Sequence, residues 1–398
     1  MVDNTMEDDD DIDEGDGLTV SMNVEKNLMR MSQAEAYVVH NNPKDDQYIT
    51  GNLSDESDEE AYELHEKDVL LISAHNSQEV TTMHVDVLEQ GGLNKFLHQD
   101  LLLNEFCLDV EWLDFHPGDS ENLHNCVAVA TFSPSIEIYD LDTYNIVNPL
   151  AVLGETQQDQ LNDQLARNKN KNKKGKLSEH THYGPVQSLS WNKNHRNLLS
   201  SGSDDCTIKI WDLNTGNCAQ TLFHHKDKVN QVEWNPNNAE QLLSTGYDNQ
   251  IILSDPRAAK PGWVFKANVN PESIAWNPKV AHEFLVSLDN GHFLVFDSRK
   301  NDPTFGFQAH TAPCTSVCYH PDIPTMVCST SIDGSFKIWN ISKFPNISEG
   351  LVYQERQEKP LFVAQFFEHL LALGGENKVD TKDLSTIPQF STVFPSNA

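Results

Sequence analysis

The sequence lacks the short motifs of the common enzyme classes. It has no glycine-rich phosphate loop, no HExxH zinc motif, no GxSxG nucleophile elbow and no GxGxxG dinucleotide fingerprint. Each of these motifs holds a phosphate, a metal or a nucleophile through a fixed spacing of residues. We therefore predict a non-catalytic protein that takes no cofactor and no small-molecule substrate.

Close cysteine pairs and long apolar runs are also missing. None of the seven cysteines forms a CxxC pair, so the spacing of a structural zinc site is absent and we expect no metal. Cysteines within predicted strands favour buried, reduced thiols in an intracellular protein. No apolar run reaches the roughly 20 residues that cross a bilayer, and no basic-then-apolar leader opens the chain. We expect no membrane partner and a cytosolic or nuclear protein.

Positive charge is scarce and unevenly placed. The chain has 28 lysines and arginines against 60 acidic residues, for a net charge of −32. Residues 1–68 hold 21 acidic and 4 basic residues with few large apolar side chains, and residues 1–33 are predicted to be a disordered acidic leader. Ser57 has an acid three residues on, the pattern of an acidophilic kinase, and a phosphate on Ser57 would give Ser54 the same context. The alternative is a solvated linker without modification.

One short segment is strongly basic. Six cations and no acid stand within ten residues: Arg167, Lys169, Lys171, Lys173, Lys174 and Lys176. The run lies in a predicted inter-blade insertion over residues 154–179. Such a run suits nucleic-acid phosphates or a nuclear import receptor. A solubilising loop, or one that pairs with the acidic leader, is the alternative.

The sequence does contain a repeat of about 43 residues. An aromatic residue recurs at Trp191, Trp234, Trp276 and Tyr319, and an acid or amide at Asp212, Asp255, Asp297 and Asn340. Both series have intervals of 43, 42 and 43 residues. A period of about 40–45 residues with a terminal Trp-Asp, as at Trp211-Asp212, is typical of a β-propeller blade.

Weaker repeats flank the clear ones. Three alternating runs from Val69 to Leu103 predict a first blade, and Trp112 and Asp140 mark a second. A weak seventh blade is expected from Leu351 to Phe394, with its last piece at Gln389–Phe394. We predict an all-β protein, a seven-bladed WD-repeat β-propeller over residues 34–394. Residues 34–50 are the candidate for the closing strand, and six blades or a second small ring are the alternatives.

Three repeats share polar residues at matching offsets. These residues are predicted to form buried hydrogen-bonded chains: His182, Ser201, Asp205 and Trp211; His225, Ser244 and Asp248; His310, Ser329, Asp333 and Trp339. A hydrolase triad is the other interpretation, but three copies spread along strands favour a structural role. The fifth blade lacks the pattern and is predicted to be softer.

Two consecutive repeats end in Asp-x-Arg, at Arg257 and Arg299. This double motif is typical of some propellers that dock onto cullin-RING ubiquitin ligases. Local pairing of each arginine is the alternative.

Several segments carry a more specific likeness. EWLDF (Glu111–Phe115), SPSIEIYDLD (Ser133–Asp142), PLAVLG (Pro149–Gly154), the lysine-rich insertion and LSWNKNHRNLLSSGSDD (Leu189–Asp205) together resemble the periodic tryptophan protein 1 family. HKDKVNQVEWNP (His225–Pro236) extends the likeness. The resemblance implies a nucleolar ribosome-biogenesis factor that acts in large-subunit assembly and ribosomal RNA production, with a link to chromatin.

Composition, repeats and resemblance lead to one expectation. We expect a non-catalytic scaffold in the nucleus and nucleolus, monomeric within a larger assembly, that binds preribosomal proteins and ribosomal RNA. A substrate receptor of a cullin-RING ligase and a histone-tail reader are the alternatives.

Overall fold

The computed structural model is a ring of seven antiparallel sheets. It describes residues 69–77, 80–88, 95–118, 122–143, 146–155, 180–258, 260–376 and 378–394, all within one compact unit, Leu64–Ala398. The acidic leader, Ser54, Ser57 and the candidate closing strand at 34–50 lie outside the described residues. So does the basic run from Arg167 to Lys176. The predicted seven-bladed propeller is confirmed.

Blade 1 has three described strands: β1 (Val69–Asn76), β2 (Thr81–Leu88) and β3 (Lys95–Leu103). Blade 2 consists of β4 (Cys107–Leu113), β5 (Cys126–Thr131), β6 (Ile136–Asp140) and β7 (Ala151–Leu153). Blade 3 consists of β8 (Val186–Trp191), β9 (Leu198–Ser203), β10 (Ile208–Asp212) and β11 (Asn217–Leu222). Blade 4 consists of β12 (Val229–Trp234), β13 (Leu242–Gly246), β14 (Gln250–Ser254) and β15 (Trp263–Lys266).

Blade 5 consists of β16 (Pro271–Trp276), β17 (Glu283–Leu288), β18 (His292–Asp297) and β19 (Phe305–Gln308). Blade 6 consists of β20 (Cys314–Tyr319), β21 (Met326–Ser331), β22 (Ser335–Asn340) and β23 (Leu351–Arg356), with a 3₁₀ turn at Ile341–Lys343 and helix α1 at Ile347–Gly350 between the last two. Blade 7 has three described strands, β24 (Leu361–Phe367), β25 (Leu370–Gly375) and β26 (Val379–Asp383), followed by a 3₁₀ turn at Leu384–Thr386 and helix α2 at Pro388–Val393.

Each sheet is a simple meander, with neighbours in chain order. The first strand of blades 2 to 7 is the inner strand, because β4, β8, β12, β16, β20 and β24 contact one another in succession. β1 contacts β4 in the way that β5 contacts β8. Among the described residues, blade 1 therefore has its second to fourth strands and blade 7 its first to third.

Two expectations about the seventh blade are wrong. Leu351–Arg356 pairs with β22, from Ser335↔Arg356 to Trp339↔Leu351, and so completes blade 6. Gln389–Phe394 is not a strand, because Pro388 begins helix α2 there. Proline at the first turn of a helix has its φ already set and needs no backbone donor. Phe390 of the helix and Phe394, the residue after it, belong to the apolar cluster that joins blades 6 and 7.

The core consists of apolar layers between neighbouring blades. Leu113 and Ile138 of blade 2 pack with Leu189 and Trp211 of blade 3, and similar clusters follow round the ring to blade 7. One blade alone would leave both faces of its sheet in water, so stacking supplies the burial that stabilises every repeat. The described part of the chain contains no helix with the length and apolarity that a bilayer crossing requires.

Candidate functional site

The predicted polar chain of blade 3 is a continuous buried network. His182 Nδ1 lies 2.9 Å from Asp205 Oδ2, and His182 Nε2 lies 2.8 Å from Ser201 Oγ. Trp211 Nε1 donates to the same Ser201 Oγ at 2.8 Å. Burial lowers the pKa of His182 although Asp205 opposes it. Burial acts to raise the pKa of Asp205, but the contacts with His182, Thr207 and Tyr183 N–H outweigh it and bring the pKa to about 2. The pair is therefore a neutral imidazole and a carboxylate.

Blades 4 and 6 vary this arrangement. His225 bridges Asp248 at 3.1 Å and Ser244 at 2.9 Å. In blade 6, His310 Nε2 and Trp339 Nε1 meet Ser329 Oγ at 2.8 and 2.9 Å. There His310 Nδ1 lies 3.0 Å from Ser335 Oγ but 3.7 Å from Asp333 Oδ2, and Ser335 Oγ donates to Asp333 Oδ1. A serine thus stands between this histidine and its acid.

The serine hydroxyls of these networks are not accessible to a substrate. Ser201, Ser244 and Ser329 are each 0% exposed. A nucleophilic serine needs an open approach to the scissile bond, usually from an exposed turn. Among the described residues, no three His, Cys, Asp or Glu side chains gather in a way that could hold a metal ion.

A second set of polar side chains links the inner strands, and the sequence motifs did not reveal it. Asp109 Oδ2 accepts a hydrogen bond from Leu189 N–H at 2.7 Å, and Glu111 Oε1 accepts one from Trp191 N–H at 3.0 Å. The same two positions act again in later blades through Ser188, Ser190, Gln231, Glu233, Ser273 and Ser316. The donors lie on the open inner edge of each sheet, where no further strand can pair with them.

Local structure explains which residues serve in this inner belt of hydrogen bonds. Each inner hairpin of blades 2 to 7 has a register shift after its first residue, for example between Val186 and Ser188. Such a bulge re-aims the following side chain. The residue types vary from acid to amide to serine, so only the shared pattern of a polar residue three before the aromatic marks the position.

Three members of the inner belt are carboxyl groups on partly buried residues. Burial raises the pKa of Asp109 to about 6, of Glu111 to about 7 and of Glu233 to about 8, while the backbone donors of the next strand oppose the rise. The Glu233 side chain is half-buried as a whole, but its Oε2 has no solvent contact and no hydrogen-bond partner in the described structure.

One end of the ring carries exposed aromatic residues. The loops that precede inner strands and the turns between second and third strands share this end, because successive strands are antiparallel. Phe106, Phe132, Tyr183, Phe223 and Tyr247 stand there and are 42–73% exposed. Glu155 and His180, the described residues on either side of 156–179, lie at the same end, which we call the insertion face.

The described ends of the insertion are tied together. Glu155 N–H donates to Thr181 Oγ1 at 2.9 Å, and Thr181 is buried. Gly154 has φ +85°, and a Cβ there would meet Thr181 Oγ1 at 2.9 Å, so this position requires glycine. The two described ends of the insertion therefore lie together at one point of the ring.

The insertion face itself is acidic around Tyr247. Burial, followed by the charges of Glu272 and Asp204, raises the pKa of the Tyr247 hydroxyl. Asp204 forms an ion pair with Lys228. Burial, followed by the charge of Asp289, raises the pKa of Glu272.

The two Asp-x-Arg arginines lie at the opposite end. Arg257 pairs with Asp255 at 2.8 Å and with Glu240, and Arg299 pairs with Asp297 at 2.6 Å. Both guanidinium groups are well exposed. Each arginine thus has a local acidic partner and also remains open to solvent.

Known proteins share this repeat, and the sequence similarity covers most of the chain. A family model described as WD domain, G-beta repeat, matches residues 171–212, 216–255 and 301–340. An uncharacterized WD repeat-containing protein of Schizosaccharomyces pombe is 32% identical over 375 residues, which are 92% of this chain and 71% of that protein. Periodic tryptophan protein 1 of Saccharomyces cerevisiae is 34% identical over 245 residues, 54% of this chain and 42% of that protein. The chain belongs to the periodic tryptophan protein 1 family of WD-repeat proteins.

Other similar proteins agree with this membership. The Drosophila melanogaster homolog of the family is 26% identical over 292 residues, 72% of this chain and 60% of that protein. The chain thus spans about half the length of the two relatives that carry the family's name. Short stretches are similar to proteins named for ribosome biogenesis, a BOP1 homolog of Dictyostelium discoideum (43% identity, 19% of this chain and 9% of that protein) and a WDR12 homolog of Nematostella vectensis (42%, 18% and 17%).

Proposed function

We propose that the chain is a non-catalytic scaffold of ribosome biogenesis that works in the nucleus and the nucleolus. Family membership carries the proposal, because the resemblance implies a nucleolar factor of large-subunit assembly. The short similarities to proteins named for ribosome biogenesis support the same role. The inaccessible serines of the buried networks favour a scaffold over a hydrolase.

The insertion face is the proposed contact with preribosomal particles. Its basic run offers six cations to RNA phosphates, and release of counterions makes such a contact favourable at low salt. The exposed aromatic rings of the same face offer stacking surfaces. Preribosomal proteins and ribosomal RNA are the proposed partners, and no membrane or small molecule is involved.

The basic run is tested in the full chain by changing Arg167, Lys169, Lys171, Lys173, Lys174 and Lys176 together to Gln. The matched control changes the five lysines to Arg, which keeps every charge. We expect the Gln variant to leave the preribosomal fractions of a gradient while the Arg variant stays. Binding of the wild type to preribosomal RNA should fall roughly 10²–10³-fold between 50 and 200 mM salt.

Two results would contradict different parts of the proposal. If the Gln variant sediments with preribosomal particles as the wild type does, the basic run is not the contact. If the wild type itself is absent from those particles with and without ribonuclease, the role in ribosome biogenesis is wrong.

Adaptor docking and histone binding are measured in the same purification. Changing Arg257 and Arg299 together to Ala would remove a cullin-RING adaptor that uses the Asp-x-Arg pair. Lys279→Ala, at another exposed cation, is the control. If histones co-purify with the full chain and no longer do so after deletion of residues 1–33, the result would support the chromatin alternative.

A further inference from the structure

Two cysteines face each other in the inner hairpin of blade 6. Cys318 of β20 is the register partner of Cys328 of β21. Besides burial, the Cys318 thiol is one of the groups that raise the pKa of Cys328, so the two side chains lie near each other. Both pack into the same apolar cluster beside blade 7, so the two side chains lie on one face of the sheet.

The backbone geometry suits a covalent link. His320 N–H donates to Met326 O at 3.0 Å, so these two residues form a hydrogen-bonded pair of the ladder. Hydrogen-bonded pairs recur at every second residue of antiparallel strands, and Cys318 and Cys328 are therefore another such pair. The Cα atoms of such a pair lie about 5.5 Å apart. Disulfides have Cα separations of roughly 4.4–6.8 Å, most often about 5.5–6 Å. The two Cβ atoms of a facing pair normally lie about 4.5–5.5 Å apart. A disulfide requires them to approach to about 3.5–4.5 Å.

The two thiols differ in access. Cys318 is partly exposed, and Cys328 is 0% exposed. Burial, with the neighbouring Cys318 thiol, raises the pKa of Cys328 well above its ordinary value. An oxidant from solvent therefore reaches Cys318 first, and Cys328 is the resolving thiol.

We propose that Cys318 and Cys328 form a reversible disulfide when the protein meets a peroxide, which makes the inner hairpin of blade 6 a redox-sensitive site. The Cys318 thiol loses its proton and the thiolate attacks hydrogen peroxide, so that an S–O bond forms and the O–O bond breaks. The hydroxide that leaves takes up that proton and becomes one water. The Cys328 sulfur then attacks the Cys318 sulfenic acid, the S–O bond breaks, and its oxygen leaves as a second water with the Cys328 proton. Two thiols lose two electrons in all, and one peroxide becomes two waters.

The chain supplies its own matched comparison. Cys107 and Cys126 occupy the equivalent hairpin of blade 2, but they pair with Thr131 and Leu113 and not with each other. Cys206, partly exposed in a turn of blade 3, has no cysteine partner within the described residues. Only the blade 6 pair combines facing positions with an accessible first thiol.

The test is peroxide treatment of the full chain, followed by blocking of free thiols and peptide mapping without reductant. We expect a cross-linked peptide pair that contains Cys318 and Cys328, two hydrogens lighter than the reduced pair and restored by dithiothreitol. No peptide that joins Cys107 to Cys126 should form. The oxidised protein should also have a higher Tm than the reduced one, because the link closes the hairpin loop.

Variants separate the two steps. Cys318→Ser should abolish the link and the Tm difference. Cys328→Ala should leave Cys318 as a sulfenic acid that dimedone labels, whereas the wild type should not retain the label. Cys206→Ser should change none of these results.

Three results would overturn the proposal. They are oxidation of Cys206 with both blade 6 thiols left free, irreversible oxidation of Cys318 without a link to Cys328, and a linked peptide that survives in Cys318→Ser. If Cys328→Ala does not fold, the mapping of wild type and Cys318→Ser still decides.

Discussion

At the scale of single residues, direct contact decides what each buried acid contributes. Asp205 contacts its histidine at 2.9 Å and also accepts from Tyr183 N–H at 3.0 Å and from Thr207. Asp333 is linked to its histidine by hydrogen bonds through Ser335, and its own carboxylate lies 3.7 Å from the imidazole. Identical sequence offsets therefore conceal unequal environments.

Asp205→Ala should lower the free energy of unfolding by about 2–4 kcal/mol, because it leaves buried donors unpaired. Asp333→Ala should cost about half as much, since Ser335 still meets His310. Urea midpoints measure both, with Asp322→Ala, an exposed acid, as the control. If the Asp205→Ala and Asp333→Ala variants lose equal free energy of unfolding, the position of Ser335 between His310 and Asp333 has no energetic effect.

The three carboxyl groups of the inner belt make stability depend on pH. Burial keeps Asp109, Glu111 and Glu233 protonated up to pKa values of about 6, 7 and 8, against 3.8 to 4.5 in the unfolded chain. Between these limits the folded protein binds more protons than the unfolded one. The free energy of unfolding therefore falls as pH rises from about 5 to about 8.

Glu233→Gln should remove part of that fall, because the amide has no proton to lose and keeps an acceptor for Trp276 N–H. We expect the variant to be about 1–3 kcal/mol more stable than the wild type at pH 8 and nearly equal at pH 5. Chemical unfolding at the two pH values measures this. A wild type with the same stability at both would show that the carboxyl is ionised without cost.

At the scale of the element, four turns between second and third strands share one backbone conformation. Cys206, Asn249, Gly291 and Gly334 occupy the same turn position, with φ of 66°, 61°, 77° and 78°. In the left-handed region a side chain with a Cβ costs about 1–2 kcal/mol, and asparagine tolerates it better than other residues. Cysteine is the residue least suited to its turn.

Cys206→Gly should therefore stabilise blade 3 by about 0.5–1 kcal/mol, after allowance for the freedom that glycine loses on folding. Asn249→Gly should change less, and it serves as the control. Thermal or urea unfolding of the two variants gives the comparison. A loss of stability in Cys206→Gly larger than in Asn249→Gly would contradict the turn argument.

Blade 5 shows what replaces a missing polar network. Phe284 and Phe296 stack at 5.0 Å, and Trp263 meets them edge-on at 5.9 and 5.6 Å. All three are buried. The aromatic layer provides apolar contacts in this blade. The lower stability expected of the blade stays a prediction.

At the scale of the whole molecule, the repeat alone predicted the ring. Two marker series with one period located blades 3 to 6, because a strand that stacks on copies of itself must keep the same buried positions. The hydrogen bonds of the inner belt were not predicted from the sequence. Any side chain with an acceptor oxygen at that position can accept from the backbone N–H of the next inner strand, so no single residue type marks it. The strands of blade 7 were also predicted incorrectly. Leu351–Arg356 belongs to blade 6, and Pro388 begins a helix where a last strand was expected.

The tie between Glu155 and Thr181 has a consequence for how the chain can be divided. Asp109, Glu111 and Asp114 on one side bind Leu189, Trp191 and Arg196 on the other, and none of these contacts passes through residues 156–179. Two separately expressed fragments, 1–155 and 180–398, should therefore find each other and co-purify as a complementing pair. A split reporter or a foreign domain could be placed at that junction without disturbing the seam between blades 2 and 3.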